Sequence, residues 1–245
     1  MFFTRIPVPK NIDHSNDMLQ KSARYFSWVG ILVGGIGGAV FLLAGLVFSS
    51  TVSLAFSLLA TILTTGAFHE DGFADSCDAF GGGWTKEKIL AIMKDSRLGT
   101  YGVIGLILVL GFKFLALMEL VNILPGNQFV WVMIAAHSSS RLMAVSVKQQ
   151  YRYVQDMDVS KSKPQTTDKL TPVECIIAIT GGCIALLMLP LSTLLVFIPV
   201  GLVRLYAGWY FKKWIGGYTG DCLGATQQLC EVVFYLGVLI ITRYL

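Results

Sequence analysis

Charged side chains are scarce in this sequence. Asp, Glu, Lys and Arg make up only 14% of its 245 residues, whereas 54% are hydrophobic. A soluble domain has about 25% charged residues, so this chain has too little polar surface to cover its apolar side chains in water. The composition excludes an ordinary soluble globule. It favours an all-α, polytopic membrane bundle that forms a single domain over residues 1–245.

Paired cysteines and basic runs are also missing. The five cysteines are odd in number and include no C-x-x-C pair, so neither a disulfide framework nor a zinc site is indicated. The formal net charge is only +4, and the basic residues are mixed with acidic ones. Nucleic acid is therefore not an expected partner. Residues 1–24 lack the order of regions that a secretory signal peptide has and are typical of an aqueous arm.

Stretches without charge predict the membrane crossings. No Asp, Glu, Lys or Arg occurs from Tyr25 to Phe68, a run of 44 residues. As a helix this run would be about 66 Å long, twice the thickness of the hydrocarbon core, so it must fold back, best at Ser49-Ser50-Thr51. About seven crossings are expected, at residues 26–48, 52–68, 101–121, 128–147, 173–190, 191–211 and 229–245.

The distribution of Lys and Arg predicts the orientation of these crossings. With a cytoplasmic N-terminus, 15 of the 19 basic residues fall in inner loops, and the outer turns near 49–51, 122–127 and 190 carry none. The positive-inside rule therefore favours a cytoplasmic N-terminus in a cytoplasmic (inner) membrane. In the first crossing Gly30, Gly34 and Gly38 recur every four residues, a spacing typical of a face for close helix packing.

The most informative motif is a row of carboxylates after the second crossing. Asp71, Asp75 and Asp78 are spaced i, i+4 and i+7, so on a helix they would fall within about 60° of one another. Three like charges on one face repel each other, and a divalent cation such as Mg²⁺ or Mn²⁺ would relieve that repulsion. The alternative is a solvated helix face with incidental acids.

Basic residues follow the carboxylates at Lys94 and Arg97, with Ser96 between them. Cations beside carboxylates suit a phosphate site, because Arg offers a bidentate fork and Lys a point charge. The alternative is that they anchor the next crossing at the cytoplasmic surface. The carboxylates and these residues lie in a first motif loop at 69–100.

Two further features are unusual. A second motif loop, at 212–229, is rich in glycine and contains Asp221, although a turn before a helix would also explain the glycines. His137 and Arg141 lie one turn apart at the inner end of the fourth crossing, and ionisable groups at such depth are functional candidates. For His137 a hydrogen-bonded packing role is the alternative.

Three separated motifs carry a family resemblance. F-H-E-D-G-F-A-D-S-C-D at 68–78, I-M-K-D-S-R-L-G-T-Y-G at 92–102 and G-G-Y-T-G-D-C-L-G-A at 216–225 resemble the cobalamin synthase family of adenosylcobinamide-GDP ribazoletransferases. The segment F-T-R-I-P-V-P at 3–9 is similar too. One departure is Glu70, where the family usually has an apolar residue.

The resemblance implies a Mg²⁺-dependent membrane transferase. It would join adenosylcobinamide-GDP to α-ribazole or its 5′-phosphate, releasing GMP, in the last step of cobalamin nucleotide-loop assembly. Its partners would be these substrates, the lipid bilayer and, as an open alternative, a second copy of the chain. The expected metal ligands are Asp71, Asp75, Asp78, Asp221 and Glu70, with Asp71 or Asp221 as the catalytic base. Lys94, Ser96, Arg97 and Arg141 would bind phosphate, and His69, Asp95, His137, Thr219 and Gly220 are further candidates.

Two other functions compete with this interpretation. A CDP-alcohol phosphotransferase acting on lipid also places aspartates near a membrane surface, but its D-G-x-x-A-R motif is absent. A transporter that uses the acids as a relay would want them deep in the crossings. Asp71, Asp75 and Asp78 instead lie at the predicted edge of the membrane.

Overall fold

The computed structural model describes residues 3–7, 21–154 and 169–244, and this part of the chain is helical with no strand. Its α-helices, numbered here in chain order, are α1 Phe26–Ala44, α2 Ser50–Thr65, α3 Phe68–Gly82, α4 Lys86–Met93, α5 Thr100–Ile123, α6 Gly126–Gln150, α7 Pro172–Cys183, α8 Phe197–Ile215 and α9 Gly220–Tyr244. Short 3₁₀ turns at Ile184–Met188 and Leu191–Val196 connect α7 to α8. The all-α fold class is confirmed.

The predicted breaks between helices are also confirmed. Ser49 is extended and precedes α2, and Pro125 is extended and precedes α6. Pro190 lies between the two 3₁₀ turns. Each break coincides with polar residues or with a proline, which cannot donate a backbone hydrogen bond to continue a helix.

The number of crossings differs from the expected seven. In the described residues five helices are long and apolar enough to span a membrane, or six if a bent pair counts as one span. The bent pair is α2 and α3, whose axes meet at 86°. The expected crossing at 173–190 does not form one long helix, because α7 gives way to 3₁₀ structure after Cys183. The predicted cytoplasmic N-terminus stays a prediction.

The last helix begins earlier than the sequence suggested. The expected crossing at 229–245 is the second part of α9, which starts at Gly220. Glu231 therefore lies near the middle of a long helix rather than at its end, and its side chain is fully buried. This correction brings a carboxylate into the interior of the bundle.

The glycine face of α1 packs closely against another helix, as predicted, and that helix is α6. A Cβ on Gly30 would lie 2.4 Å from the His137 carbonyl oxygen, and one on Gly34 would lie 2.7 Å from the Ile134 Cα. Farther along α1, Gly38 faces Val130. The paired residue numbers run in opposite directions, so the two helices are antiparallel. This close packing holds the buried polar face of α6 in the centre of the bundle.

Candidate active site

The three aspartates of the first motif lie on one helix, as expected. Asp71, Asp75 and Asp78 all belong to α3, with Asp71 exposed, Asp75 half-buried and Asp78 buried. The helix starts directly after a sharp bend, because Gly66 and Ala67 both have left-handed backbone angles, with φ of 68° and 58°. The bend ends α2 and turns the row of carboxylates toward the start of α9.

The two distant motifs meet where α3 crosses α9. A Cβ added to Gly72 would lie 3.0 Å from the Asp221 Cα, and one added to Gly224 would lie 3.1 Å from the His69 carbonyl oxygen. The carboxylate of Asp75 interacts electrostatically with those of Asp221, Asp71 and Asp78. The crossing thus collects like charges from both motifs at one point of the bundle.

Asp221 has a defined place in the first turn of α9. The hydroxyl of the preceding Thr219 accepts a hydrogen bond from the Cys222 amide at 3.3 Å. Tyr218 donates its amide to the Arg152 carbonyl at 2.9 Å and accepts from the Val154 amide at 2.8 Å. These contacts fix the chain on both sides of Gly220. Acidic side chains are also favoured at the positive end of a helix.

Asp78 has a role that the sequence did not reveal. Its two carboxylate oxygens accept hydrogen bonds from the amides of Gly99, at 2.7 Å, and Gly102, at 2.8 Å. Gly99 immediately precedes α5, so the carboxylate caps that helix and satisfies amides that have no partner within it. Asp78 therefore ties α3 to the loop at residues 94–99, which precedes α5 and is called the basic loop below.

The basic loop is open to solvent. Lys94, Ser96 and Arg97 are exposed. The Arg97 guanidinium binds Asp95, with Nε 2.9 Å from Oδ1 and Nη2 2.5 Å from Oδ2. These side-chain hydrogen bonds lower the pKa of Asp95 to about 2. In this conformation Arg97 is engaged by its neighbour, and a phosphate would have to compete with that carboxylate.

Four further candidates, two from the first motif loop and two from the fourth crossing, lie inside the bundle. His69, Glu70, His137 and Arg141 are all buried. Arg141 donates to the His137 carbonyl oxygen at 2.8 Å, and its guanidinium lies over the ring of Phe26. Sequence reasoning missed the residues that accompany them, namely Lys113, Gln227, Gln228 and Glu231. The available signal was an isolated charge within each of two apolar runs, at Lys113 and Glu231.

The donor chemistry at the point where α3 crosses α9 suits a hard divalent cation. Asp71, Asp75 and Asp221 offer carboxylate oxygens, the ligands that Mg²⁺ prefers. In the residues that the structure describes, no three Asp, Glu, His or Cys side chains converge closely enough to hold one ion. Mg²⁺ in phosphate-transferring enzymes is usually held by one or two carboxylates together with substrate oxygens. The crossing fits a site of that kind.

Comparison with known sequences identifies the family. The sequence profile of the cobalamin-5-phosphate synthase family matches residues 1–239. The chain belongs to this family. Among curated relatives, a protein of Shewanella frigidimarina is 47% identical over 239 residues, covering 97% of this chain and 91% of its own. One from Shewanella oneidensis is 46% identical over 247 residues, covering 98% of this chain and 91% of its own.

A further member, from Shewanella piezotolerans, is 42% identical over 240 residues, covering 98% of this chain and 92% of its own. All three relatives are named adenosylcobinamide-GDP ribazoletransferase. No solved structure matches the chain. Membership of the cobalamin-5-phosphate synthase family agrees with the resemblance that the three motifs carry.

Proposed function

We propose that this protein joins adenosylcobinamide-GDP to α-ribazole or its 5′-phosphate and releases GMP. The names of its full-length relatives support this reaction. The observation that carries the proposal for the site is the close contact between Gly72 and Asp221, because it unites the carboxylates of two motifs at one crossing. A cluster of carboxylates would repel a diphosphate substrate unless a cation binds between them.

The cation we propose is Mg²⁺, with Mn²⁺ as the alternative. One or two of the carboxylates of Asp71, Asp75 and Asp221 would hold it together with diphosphate oxygens, and the bound ion would neutralise charge on the departing phosphate. Asp78 contributes differently, since both of its oxygens already accept backbone amides. Asp78 would hold the basic loop in place. Glu70 accepts a hydrogen bond from Gln228, and we do not propose it as a metal ligand.

The other groups follow from the charge of the substrates. Lys94 and Arg97 are exposed cations on a loop tied to α3 through Asp78, and they would bind phosphate oxygens. Arg97 would release Asp95 and bind the substrate instead. A bidentate contact with a phosphate can replace the hydrogen bonds that Arg97 loses. The excess of Lys and Arg in the predicted inner loops supports a site on the cytoplasmic side of the inner membrane.

The reaction requires that one proton be removed. The ribose hydroxyl of α-ribazole attacks the phosphorus nearest the corrinoid, an oxygen–phosphorus bond forms, and the anhydride bond to GMP breaks. Asp71 or Asp221 would accept the hydroxyl proton, because a carboxylate within hydrogen-bond reach can act as a general base.

The test is turnover by the purified chain reconstituted in lipid vesicles. The substrates are adenosylcobinamide-GDP with either α-ribazole or α-ribazole 5′-phosphate, with and without Mg²⁺. We expect a corrinoid product carrying the ribazole group and one GMP for each product molecule, both dependent on Mg²⁺. Reconstituted protein that binds both substrates and forms neither product would refute the proposal.

A further inference from the structure

Among the described residues, one group of buried charged and amide side chains comes from four helices in the interior of the bundle. The buried polar network, as we call it here, consists of Glu70 from α3, Lys113 from α5, His137 and Arg141 from α6, and Gln227, Gln228 and Glu231 from α9. Each of these side chains is at least nine-tenths buried. Ionisable groups within membrane helices are costly and therefore need a reason for being there.

Glu231 is the centre of this network. Its Oε1 lies 3.0 Å from the Lys113 ammonium, and its Oε2 lies 3.3 Å from His137 Nδ1. The amide of Gln227 donates to the same Oε2 at 2.5 Å. A carboxylate on α9 is thus bound to side chains of α5 and α6, two helices that pack against α9.

A second chain of contacts leads from this centre to α3. Lys113 also donates to Gln228 Oε1 at 2.8 Å, and Gln228 Nε2 donates to Glu70 Oε1 at 2.9 Å. Glu70 immediately precedes Asp71, and Gln228 is seven residues, or two helical turns, after Asp221. The two residues that bond each other are therefore carried by the same helices as the carboxylates of the proposed site.

The formal charges of the network cancel. Lys113 and Arg141 contribute two positive charges and Glu70 and Glu231 two negative charges when His137 is counted as neutral. A balanced network offers no net charge to attract an ionic ligand from outside. Apolar side chains of similar volume would stabilise the interior at less cost. Buried polar groups are instead suited to fixing one register between helices, because only one alignment satisfies them.

We infer that Glu70, Gln228, Lys113 and Glu231 form a register latch, which holds α3 at one position along α9 so that Asp71 and Asp75 face Asp221. The small residues at the crossing, Gly72 and Gly224, allow close approach but would tolerate sliding. The latch prevents sliding. Its members are positioning residues, and this role rests on the proposed function of the carboxylates.

The experiment separates register from stability. Glu70→Met and Gln228→Met keep the side-chain volume but remove the bond between α3 and α9. In a third variant the pair is exchanged, Glu70→Gln with Gln228→Glu, which retains the bond and the total charge. Spin labels at positions 68 and 229, both on exposed parts of α3 and α9, measure the distance between the helices in vesicles without any substrate.

We expect both Met variants to shift or broaden the label distance and to lower kcat by at least about tenfold, as a misplacement of about 1 Å can do. The exchanged pair should restore the wild-type distance and bring kcat to within about threefold of wild type, because the paired interaction is retained. Arg204→Met is the control, since Arg204 joins α8 to Ser146 of α6 at 2.6 Å. It should lower thermal stability but leave the label distance and kcat unchanged.

Two results would overturn the latch: wild-type label distances in both Met variants, or an exchanged pair that remains displaced. If neither Met variant accumulates in the membrane, the exchanged pair decides alone, with wild-type distance and kcat supporting the latch. If the wild-type protein forms no GMP, the proposed function fails. The label distances still test the latch in that case, because they are measured without substrate.

Discussion

The Cα of Gly72 lies against the backbone of Asp221, so that a Cβ at position 72 would meet the Asp221 Cα at 3.0 Å and its carbonyl oxygen at 3.2 Å. This contact joins the first motif to the second, although they are far apart in the chain. It also explains why glycine follows Asp71. A larger residue would separate the two helices by a few tenths of an ångström.

Gly72→Ala should therefore lower activity without unfolding the protein. Displacing α3 from α9 moves Asp71 and Asp75 away from Asp221, and we expect kcat to fall by about three- to tenfold. Gly111→Ala on α5 is the matched control, because nothing lies within 4 Å of the added Cβ. Steady-state kinetics on both variants checks this, and equal rates in the two would contradict the importance of the contact.

The carboxylate row could be predicted because it depends on periodicity alone. Asp71, Asp75 and Asp78 share a helix face wherever a helix forms, and Gly30, Gly34 and Gly38 predicted close packing for the same reason. The bend before α3 could not be predicted. Gly66 is a residue type that often ends a helix, but left-handed backbone angles are uncommon at alanine, and nothing in the sequence signals a second one at Ala67.

The buried charges were harder to place for a different reason. Considered alone, Glu231 suggests that a membrane helix ends near it, because an isolated carboxylate in lipid is costly. Its partner Lys113 belongs to another helix, and a single sequence does not show which helices are neighbours. The hydrogen bonds that both Asp78 oxygens accept were missed for a similar reason, because the pattern of side chains does not show which backbone amides need a partner.

Neutralising the carboxylates at the crossing should abolish turnover. Asp71→Asn, Asp75→Asn and Asp221→Asn keep side-chain size but weaken binding of a divalent cation, so we expect kcat/KM to fall by at least about 100-fold. The Mg²⁺ concentration for half-maximal activity should rise in any variant that retains activity. Near-normal turnover of all three variants at limiting Mg²⁺ would refute a metal site here, provided that each is inserted in the membrane as the wild type is.

Asp78 should behave differently from the other three. Asp78→Ala removes the acceptor of two amides at the start of α5, which we expect to lower the free energy of unfolding by about 1–3 kcal/mol. Activity should fall because the basic loop loses its attachment, but the Mg²⁺ dependence of the residual activity should be unchanged. Thermal unfolding in detergent and a Mg²⁺ titration measure the two effects. A weakened Mg²⁺ response would instead make Asp78 a ligand.

The orientation of the bundle can be tested by labelling. On a cysteine-free background, Lys86→Cys and Lys213→Cys should react with an impermeant thiol reagent only from the cytoplasmic side, and Gly126→Cys only from outside. All three positions are exposed, so poor access is not a concern. Labelling of position 86 from outside would invert the orientation and separate the carboxylates from cytoplasmic nucleotide.

The last prediction concerns which bond breaks. If the carboxylate crossing and the basic loop bind the diphosphate, the electrophile is the phosphorus nearest the corrinoid and GMP is the leaving group. Label in the corrinoid-proximal phosphate should then remain in the cobalamin product, and label in the guanosine-proximal phosphate should appear in GMP. Arg97→Ala should slow the appearance of both labelled products by the same factor, because a single step forms them. Recovery of the corrinoid-proximal label in GDP would mean attack at carbon. The proposal that Lys94 and Arg97 bind this phosphate would then lose its basis.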